Sequence, residues 1–410
     1  MKFFKKFTFL FSFVSFSILL ASSLFAVEHE MGAEIRVRGE GKDNTSFTST
    51  GRTGSIGERA RVHLKFKADS VEALIQPQFS KVFGQDTTLV TGATQETSGT
   101  NFDTDLSVHQ AYFTWTPWEK MSLQIGRQEL AYGDHLIIGN NGWSNIGRSF
   151  DAIKAHFICG DKGWTDVFYS SISDQNTTTG STGDYDFLGI YNHYEQEGFL
   201  QTIEPYVLYN ADFRGTGAAN SSLAVVGVRL KSSMEPYDYR LEVTGEAGKE
   251  SGTTLTGIQG DAEVGYTKEK SRVALEYFIA NDEYRQLFPT THKWLGHMDL
   301  LGRRNIQGGV LHIQHWLKDS LSVNLDGHLF LRVQDDQPIY NTTGTTTIGT
   351  GILSNSLFAG NEEDLYASYT YNDNFSIDAG ASLFVPLTYI KDEVGDKLAN
   401  FYYLQGTVHF

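Results

Sequence analysis

Apolar and polar residues alternate with a period of two along nearly the whole chain, the signature of strands with one face in an apolar phase and the other in water. From Ala60 to Ala68, Ala60, Val62, Leu64, Phe66 and Ala68 alternate with Arg61, His63, Lys65 and Lys67. The same pattern sets Leu241 and Val243 against Arg240, Glu242 and Thr244, and Leu325, Gly327 and Leu329 against Asn324, Asp326 and His328. It predicts eighteen strands, with sixteen as the alternative count, near 33–40, 58–68, 71–82, 106–116, 121–130, 150–158, 164–171, 185–194, 199–209, 222–231, 237–247, 257–266, 271–280, 305–316, 321–332, 363–371, 375–385 and 400–410.

Alternation alone also suits a soluble sandwich, and the connections separate the two. Long gaps at 41–57, 83–105 and 131–149 are interleaved with short ones at 69–70 and 117–120, and the chain ends with a short gap at 372–374 and a long one at 386–399. Short turns on one side and long loops on the other predict an all-β fold, a transmembrane antiparallel β-barrel with short periplasmic turns and longer extracellular loops. An even strand count returns both ends to the periplasmic side. In the last strand Tyr402, Leu404, Gly406, Val408 and Phe410 alternate with Tyr403, Gln405, Thr407 and His409, and the chain stops. This ending resembles the C-terminal signal read by the outer-membrane barrel-assembly machinery. A sheet in lipid must pair its edges, so this strand is expected to close on the first.

Lys2, Lys5 and Lys6, the apolar run from Phe7 to Leu20, and small residues up to Ala26 follow the order of a secretory signal peptide. The expectation is a leader over 1–26, a single barrel over 27–410, and residence in the outer membrane of a Gram-negative-type bacterium, with outer-membrane lipid as surroundings. Losing three leader lysines leaves 30 basic against 49 acidic residues, a net charge near −19. That balance argues against nucleic acid as a partner. Cys159 is the only cysteine, read as a small wall residue, which excludes an intrachain disulfide.

No catalytic or cofactor constellation stands out. His312 and His315 face opposite sides of a strand and cannot share a metal, while His292 and His297 read as solvated loop surface. Ser322, Asp326 and His328 are the nearest approach to a hydrolase set and read as ordinary wall residues. The alternative to a channel is therefore an outer-membrane enzyme or adhesin barrel without a conducting pore. Charges turned to lipid cost ~2–4 kcal/mol near the midplane. Arg36, Arg38, Arg59, Arg61, Lys65, Lys154, Arg229, Arg240, Arg272 and Arg332 are thus expected in the lumen, with Glu34, Glu72, Glu242, Glu263, Glu276 and Asp326 on the same wall. The basic cluster on the first two strands is a candidate anion path. Trp115, Trp118, Tyr169, Tyr191, Tyr194, Tyr209, Tyr266, Tyr277 and Tyr369 are expected in interfacial girdles. Tyr206 and Phe330 are the aromatics available for sugar stacking.

The segment after the fifth strand carries a motif: Gly126, Arg127, Gln128, Leu130, Tyr132, Gly133 and Asp134, followed by Trp143, Ser144, Asn145, Gly147, Arg148, Ser149, Phe150 and Asp151. It resembles the alginate-export family of outer-membrane barrels, as do Phe288, Pro289, Thr290 and His292 with Gly296, Asp299 and Asn305, and Gly360, Glu362, Asp364 and Leu365. The resemblance implies an eighteen-stranded barrel whose lumen carries fixed charges guiding an anionic polysaccharide. By motif, Arg127, Glu129, Asp134, Arg148 and Asp151 become pore-lining candidates or, equally, a network bracing the 131–149 loop. By parity Arg127 shares a face with Leu123 and Ile125 unless the strand bulges. The expected function is a porin-like channel for passive passage of hydrophilic, anionic solutes or oligosaccharides, with alginate-type polysaccharide export as its narrower form.

Overall fold

The computed structural model describes residues 27–48, 51–83, 104–173, 183–214 and 220–410. The leader and most of the expected 83–105 loop lie outside these. Eighteen strands form one antiparallel sheet. The first nine are β1 (Glu28–Asp43), β2 (Arg52–Ala68), β3 (Val71–Val82), β4 (Thr104–Trp118), β5 (Met121–Gln128), β6 (Phe150–Ile158), β7 (Gly163–Ser173), β8 (Tyr185–Glu195) and β9 (Thr202–Asp212). The second nine are β10 (Ser221–Met234), β11 (Tyr237–Glu250), β12 (Thr253–Lys268), β13 (Ser271–Ala280), β14 (Ile306–Lys318), β15 (Leu321–Leu331), β16 (Phe358–Asn372), β17 (Phe375–Pro386) and β18 (Ala399–His409). Each pairs with its neighbours in sequence. The ends meet, with Glu34 to Asp43 of β1 opposite His409 to Asn400 of β18, and Phe410 and Ala33 exchanging backbone hydrogen bonds of 2.9 and 3.2 Å. The predicted closure is realised and no edge is left open to lipid.

The two faces divide as the alternation requires. Val226, Ile258, Val264 and Leu275 are exposed outward at 61%, 56%, 59% and 66%, where they meet hydrocarbon. Arg240, Glu242, Asp261 and Glu276 are buried on the inner face. Of the expected girdle, Trp115, Trp118, Tyr169, Tyr194, Tyr209, Tyr266, Tyr277 and Tyr369 are outward and exposed. Tyr191 is not: it points inward and stacks between Tyr132 and Tyr206, because position 191 shares its face with Phe187 and Gly189 rather than with Ile190.

Several strands, β1, β2, β11 and β12 among them, run further than predicted on the long-loop side. Between β11 and β12 the expected loop shrinks to Ser251 and Gly252, with φ of 52° and 81°, the left-handed pair of a tight hairpin turn. Cys159 sits exposed just past β6, in the turn leading to β7, not in the wall. The lumen is not empty. The connections 129–149 and 281–305 turn inward, and their Leu130, Ile138, Leu295 and Met298 join Phe168, Phe187, Phe278 and Phe330 in an internal apolar core.

Val226 lies near the middle of β10, so Val226→Arg places a charge against lipid and should cost ~2–4 kcal/mol. Urea titration of the barrel refolded into vesicles measures it.

Candidate functional site: the constricted lumen

The inward fold of 129–149 begins with its composition. Leu136, Ile137 and Ile138 are apolar in succession and are 3%, 5% and 1% exposed, so the loop gains more by entering the barrel than by lying over its mouth. It meets 281–305 as a short parallel pairing of Ile138 with Phe288. Gly139 N–H donates to Phe288 O at 2.8 Å, Phe288 N–H to Ile137 O at 3.0 Å, and Thr290 N–H to His135 O at 3.0 Å. Arg148 closes the joint by donating through Nη1 to the carbonyls of Gly139, Phe288 and Pro289 at 3.0, 2.5 and 3.0 Å. Burial pulls its guanidinium down to about 10, still charged at neutral pH.

The basic cluster of β1 and β2 faces the lumen as expected, but the 129–149 loop covers it. Arg36 donates to Gly142 O and Ser144 O, each at 2.8 Å. Arg38 donates to Trp143 O at 2.8 Å, and Arg59 to Gly142 O and Ser144 O at 3.1 Å. Arg61 reaches Ile146 O at 3.0 Å. All four are under 10% exposed, and Glu34 and Glu40 pair with Arg59 and Arg38 at 2.6 Å. These arginines clamp a loop; they do not form an open anion path. Glu129 braces its start, accepting from Asn140 at 2.9 Å and lying 2.7 Å from His109 Nε2.

Arg127 and Asp151 do not line the lumen. They face each other across β5 and β6 on the outer face, 3.3 Å apart and 43% and 64% exposed at the side chain, as the parity of Leu123 and Ile125 demands. Arg127 Nε instead caps Val108 O at 3.0 Å. The remaining candidates are inward but dispersed. Lys65 pairs with Glu72 at 3.1 Å, Lys154 lies 3.8 Å from Asp166, and Arg240 holds Asp261, Glu276 and Glu263 at 2.6, 2.9 and 3.1 Å. Ser322, Asp326 and His328 make no triad, since Asp326 turns to His312 and Tyr366 and His328 to Asp364.

Under the two loops, on the β10 to β16 side, lies a cavity of about 740 Å³. Asp134, Trp143, His292, Lys293, Trp294 and His297 roof it, and Lys231, Asp238, Arg240, Glu263, Arg272, Glu276, His312 and Asp326 wall it. His292 and His297 are therefore interior groups and not solvated surface. Trp143 stacks on His292 at 3.7 Å, and His292 on His297 at 4.7 Å. Lys231 and Lys293 are the site residues that sequence reasoning missed. Lys231 was legible from its parity with Arg229; Lys293 sits in a loop without periodicity. Asp134 is their shared counter-ion: its carboxylate accepts from Arg229 at 2.5 Å and lies 4.0 Å from Lys231, and its backbone oxygen accepts from Lys293 at 3.1 Å. Burial opposes ionisation of Asp134, but Arg229, Lys231 and Lys293 hold it below the ordinary carboxylate range.

A family model described as alginate export matches residues 27–403. No curated protein matches the sequence. Among solved structures the chain is similar to OccAB4 of Acinetobacter baumannii, at 12% identity and a TM-score of 0.62 over 93% of this chain and 98% of that one. It is similar also to OccK8 (OprE) of Pseudomonas aeruginosa, at 9% identity and a TM-score of 0.64 over 93% and 98%. OccD3 (OpdP) of the same organism gives 10% identity and 0.60 over 93% and 91%. At these identities the likeness is one of fold.

Arg148→Ala strands the buried carbonyls of Gly139 and Pro289, at ~1–3 kcal/mol each, and leaves Phe288 O with Gly139 N–H alone; it should let the two loops part, raising single-channel conductance about twofold or more. A pH dependence follows from His297, which burial, reinforced by the neighbouring His292, pulls down to about 4. An unfolded histidine titrates near ~6.5. The neutral ring thus stabilises the inward loop fully above that pH, and the stabilisation is lost as pH falls through about 4. Current fluctuations should grow between pH 7 and pH 4, and His297→Gln should flatten that dependence.

Proposed function

Since this chain belongs to the alginate export family of outer-membrane barrels, we propose that it is a passive channel for small hydrophilic anions, selected at the cavity beneath its inward loops. The observation that carries this is the pair Lys231 and Lys293. Arg272 on the same wall is matched by Asp238 and Glu263, and Arg240 by Asp261, Glu263 and Glu276. Lys231, by contrast, is half exposed, and it shares Asp134 with Arg229 and Lys293. At this cluster a solute leaving bulk water meets the three cations Arg229, Lys231 and Lys293 against the two carboxylates of Asp134 and Glu204, in a confined space where screening is weaker than at an open surface.

Export of an anionic polysaccharide is the narrower reading, and the aromatic surfaces favour small solutes over it. Sugar rings stack on free aromatic faces, but Trp143 has Arg38 over its ring at 3.8 Å and His292 stacked at 3.7 Å. Tyr206 and Phe330 are buried in the internal core. The pore path in this reading runs through Lys231 and Lys293, with Glu129, Arg148 and the arginines of β1 and β2 setting its width by holding the loop. Removal of residues 1–26 on export and delivery by the barrel-assembly machinery through the strand ending at Phe410 complete the proposal.

Planar-bilayer recording tests it. Wild type should conduct with a preference for anions, and Lys231→Ala with Lys293→Ala should lower the anion-to-cation permeability ratio about twofold or more. A purified barrel that carries no open-channel current would point to the non-conducting alternatives.

A further inference from the structure

On the cavity wall, Glu263 of β12, Glu276 of β13 and His312 of β14 converge, one ligand atom from each lying within 4.8 Å of the others. Asp326 of β15 stands behind the histidine, its Oδ1 2.8 Å from Nδ1. A hydrogen bond from Nδ1–H to that carboxylate fixes the tautomer and leaves the Nε2 lone pair facing the cluster. Nε2 lies 3.4 Å from Glu276 Oε2 yet makes no hydrogen bond. Glu276 is only 6% exposed, and its Oε1 also has no hydrogen-bond partner. Two buried polar atoms of this cluster, His312 Nε2 and Glu276 Oε1, are thus without hydrogen-bond partners, which buried polar atoms rarely are.

Charge points the same way. Five carboxylates belong to this network, Asp238, Asp261, Glu263, Glu276 and Asp326, against three guanidinium groups, Arg240, Arg272 and Arg303. The excess of two acids is what one divalent cation neutralises. Arg240 is the competitor, with Nη2 at 2.9 Å from Glu276 Oε2 and 3.1 Å from Glu263 Oε2. A cation taking Glu276 Oε1 and His312 Nε2 displaces neither contact. Recruiting Glu263 gives up only the 3.1 Å one, while Arg240 keeps Asp261 at 2.6 Å. Ligands at ~2.0–2.2 Å from a tetrahedral ion stand roughly 3.4 Å apart, so a cluster whose ligand atoms lie within 4.8 Å of one another needs to tighten by up to roughly 1.4 Å.

We propose that Glu263, Glu276 and His312 form a binding site for a divalent transition-metal cation on the lumen wall, with Asp326 as the residue that positions the histidine. Imidazole with carboxylates suits Zn²⁺, which serves as the probe. An ion bound there adds positive charge to the wall of the cavity that Lys231 and Lys293 also line.

The test is equilibrium dialysis of the purified, chelator-stripped barrel against Zn²⁺ at pH 7.5, with folding of each variant checked by heat-modifiable mobility in gels. Wild type should retain one Zn²⁺ per barrel at micromolar free metal. His312→Gln and Glu276→Gln should each weaken binding about tenfold or more, while His315→Gln, on the outer face of the same strand, should leave it unchanged. Two variants are used so that a folding failure in one leaves the other to decide. No stoichiometric Zn²⁺ in wild type, or equal retention in the folded variants, overturns the site and makes His312 an imidazolium bridging Asp326 and Glu276. Dialysis needs no current, so this outcome is independent of whether the barrel conducts.

Discussion

The constraint on which the whole structure rests is that a sheet surrounded by hydrocarbon must satisfy every backbone N–H and C=O from within. The seam between β1 and β18 is where that requirement is met last: Glu34 to Asp43 pair with His409 to Asn400, and Phe410 with Ala33. Closure forces the two-faced pattern of every strand between. It also fixes a circumference wide enough that side chains alone do not fill the interior, which leaves space for loops to enter.

The entering loops create a second version of the same problem. A backbone segment such as 139–146 inside the lumen brings carbonyls that no strand pairs, and the protein answers with arginine. Arg36, Arg38, Arg59, Arg61 and Arg148 together supply carbonyls of Gly139, Gly142, Trp143, Ser144, Ile146, Phe288 and Pro289. The guanidinium fork suits this role because its donors are rigidly spaced and remain charged when buried. The inner wall at β1 and β2 is consequently a scaffold, and the charges that a solute meets are displaced to the opposite side of the barrel.

That opposite side is electrostatically divided. Around Asp134 the cations Arg229, Lys231 and Lys293 gather, whereas from β11 to β15 acids outnumber their arginine partners. Both faces border one cavity. A mixed lumen of this kind discriminates by where charge is left unmatched, which a count of basic and acidic wall residues does not reveal.

By itself the sequence determined the barrel, the closure of its last strand on its first and the inward or outward facing of nearly every strand residue, because a period of two translates directly into the two sides of a sheet; between eighteen strands and sixteen the pairing of the sheet decided. The parity of Leu123 and Ile125 already placed Arg127 on the outer face, against the expectation drawn from its motif. What tertiary structure alone decided was the fate of the loops. Nothing periodic in 129–149 or 281–305 announces that they meet at Ile138 and Phe288, that they hide the Arg36 to Arg61 cluster, or that His292 and His297 are interior. Those facts arise from contacts between segments some 140 residues apart, where packing and carbonyl satisfaction, not local pattern, set the geometry.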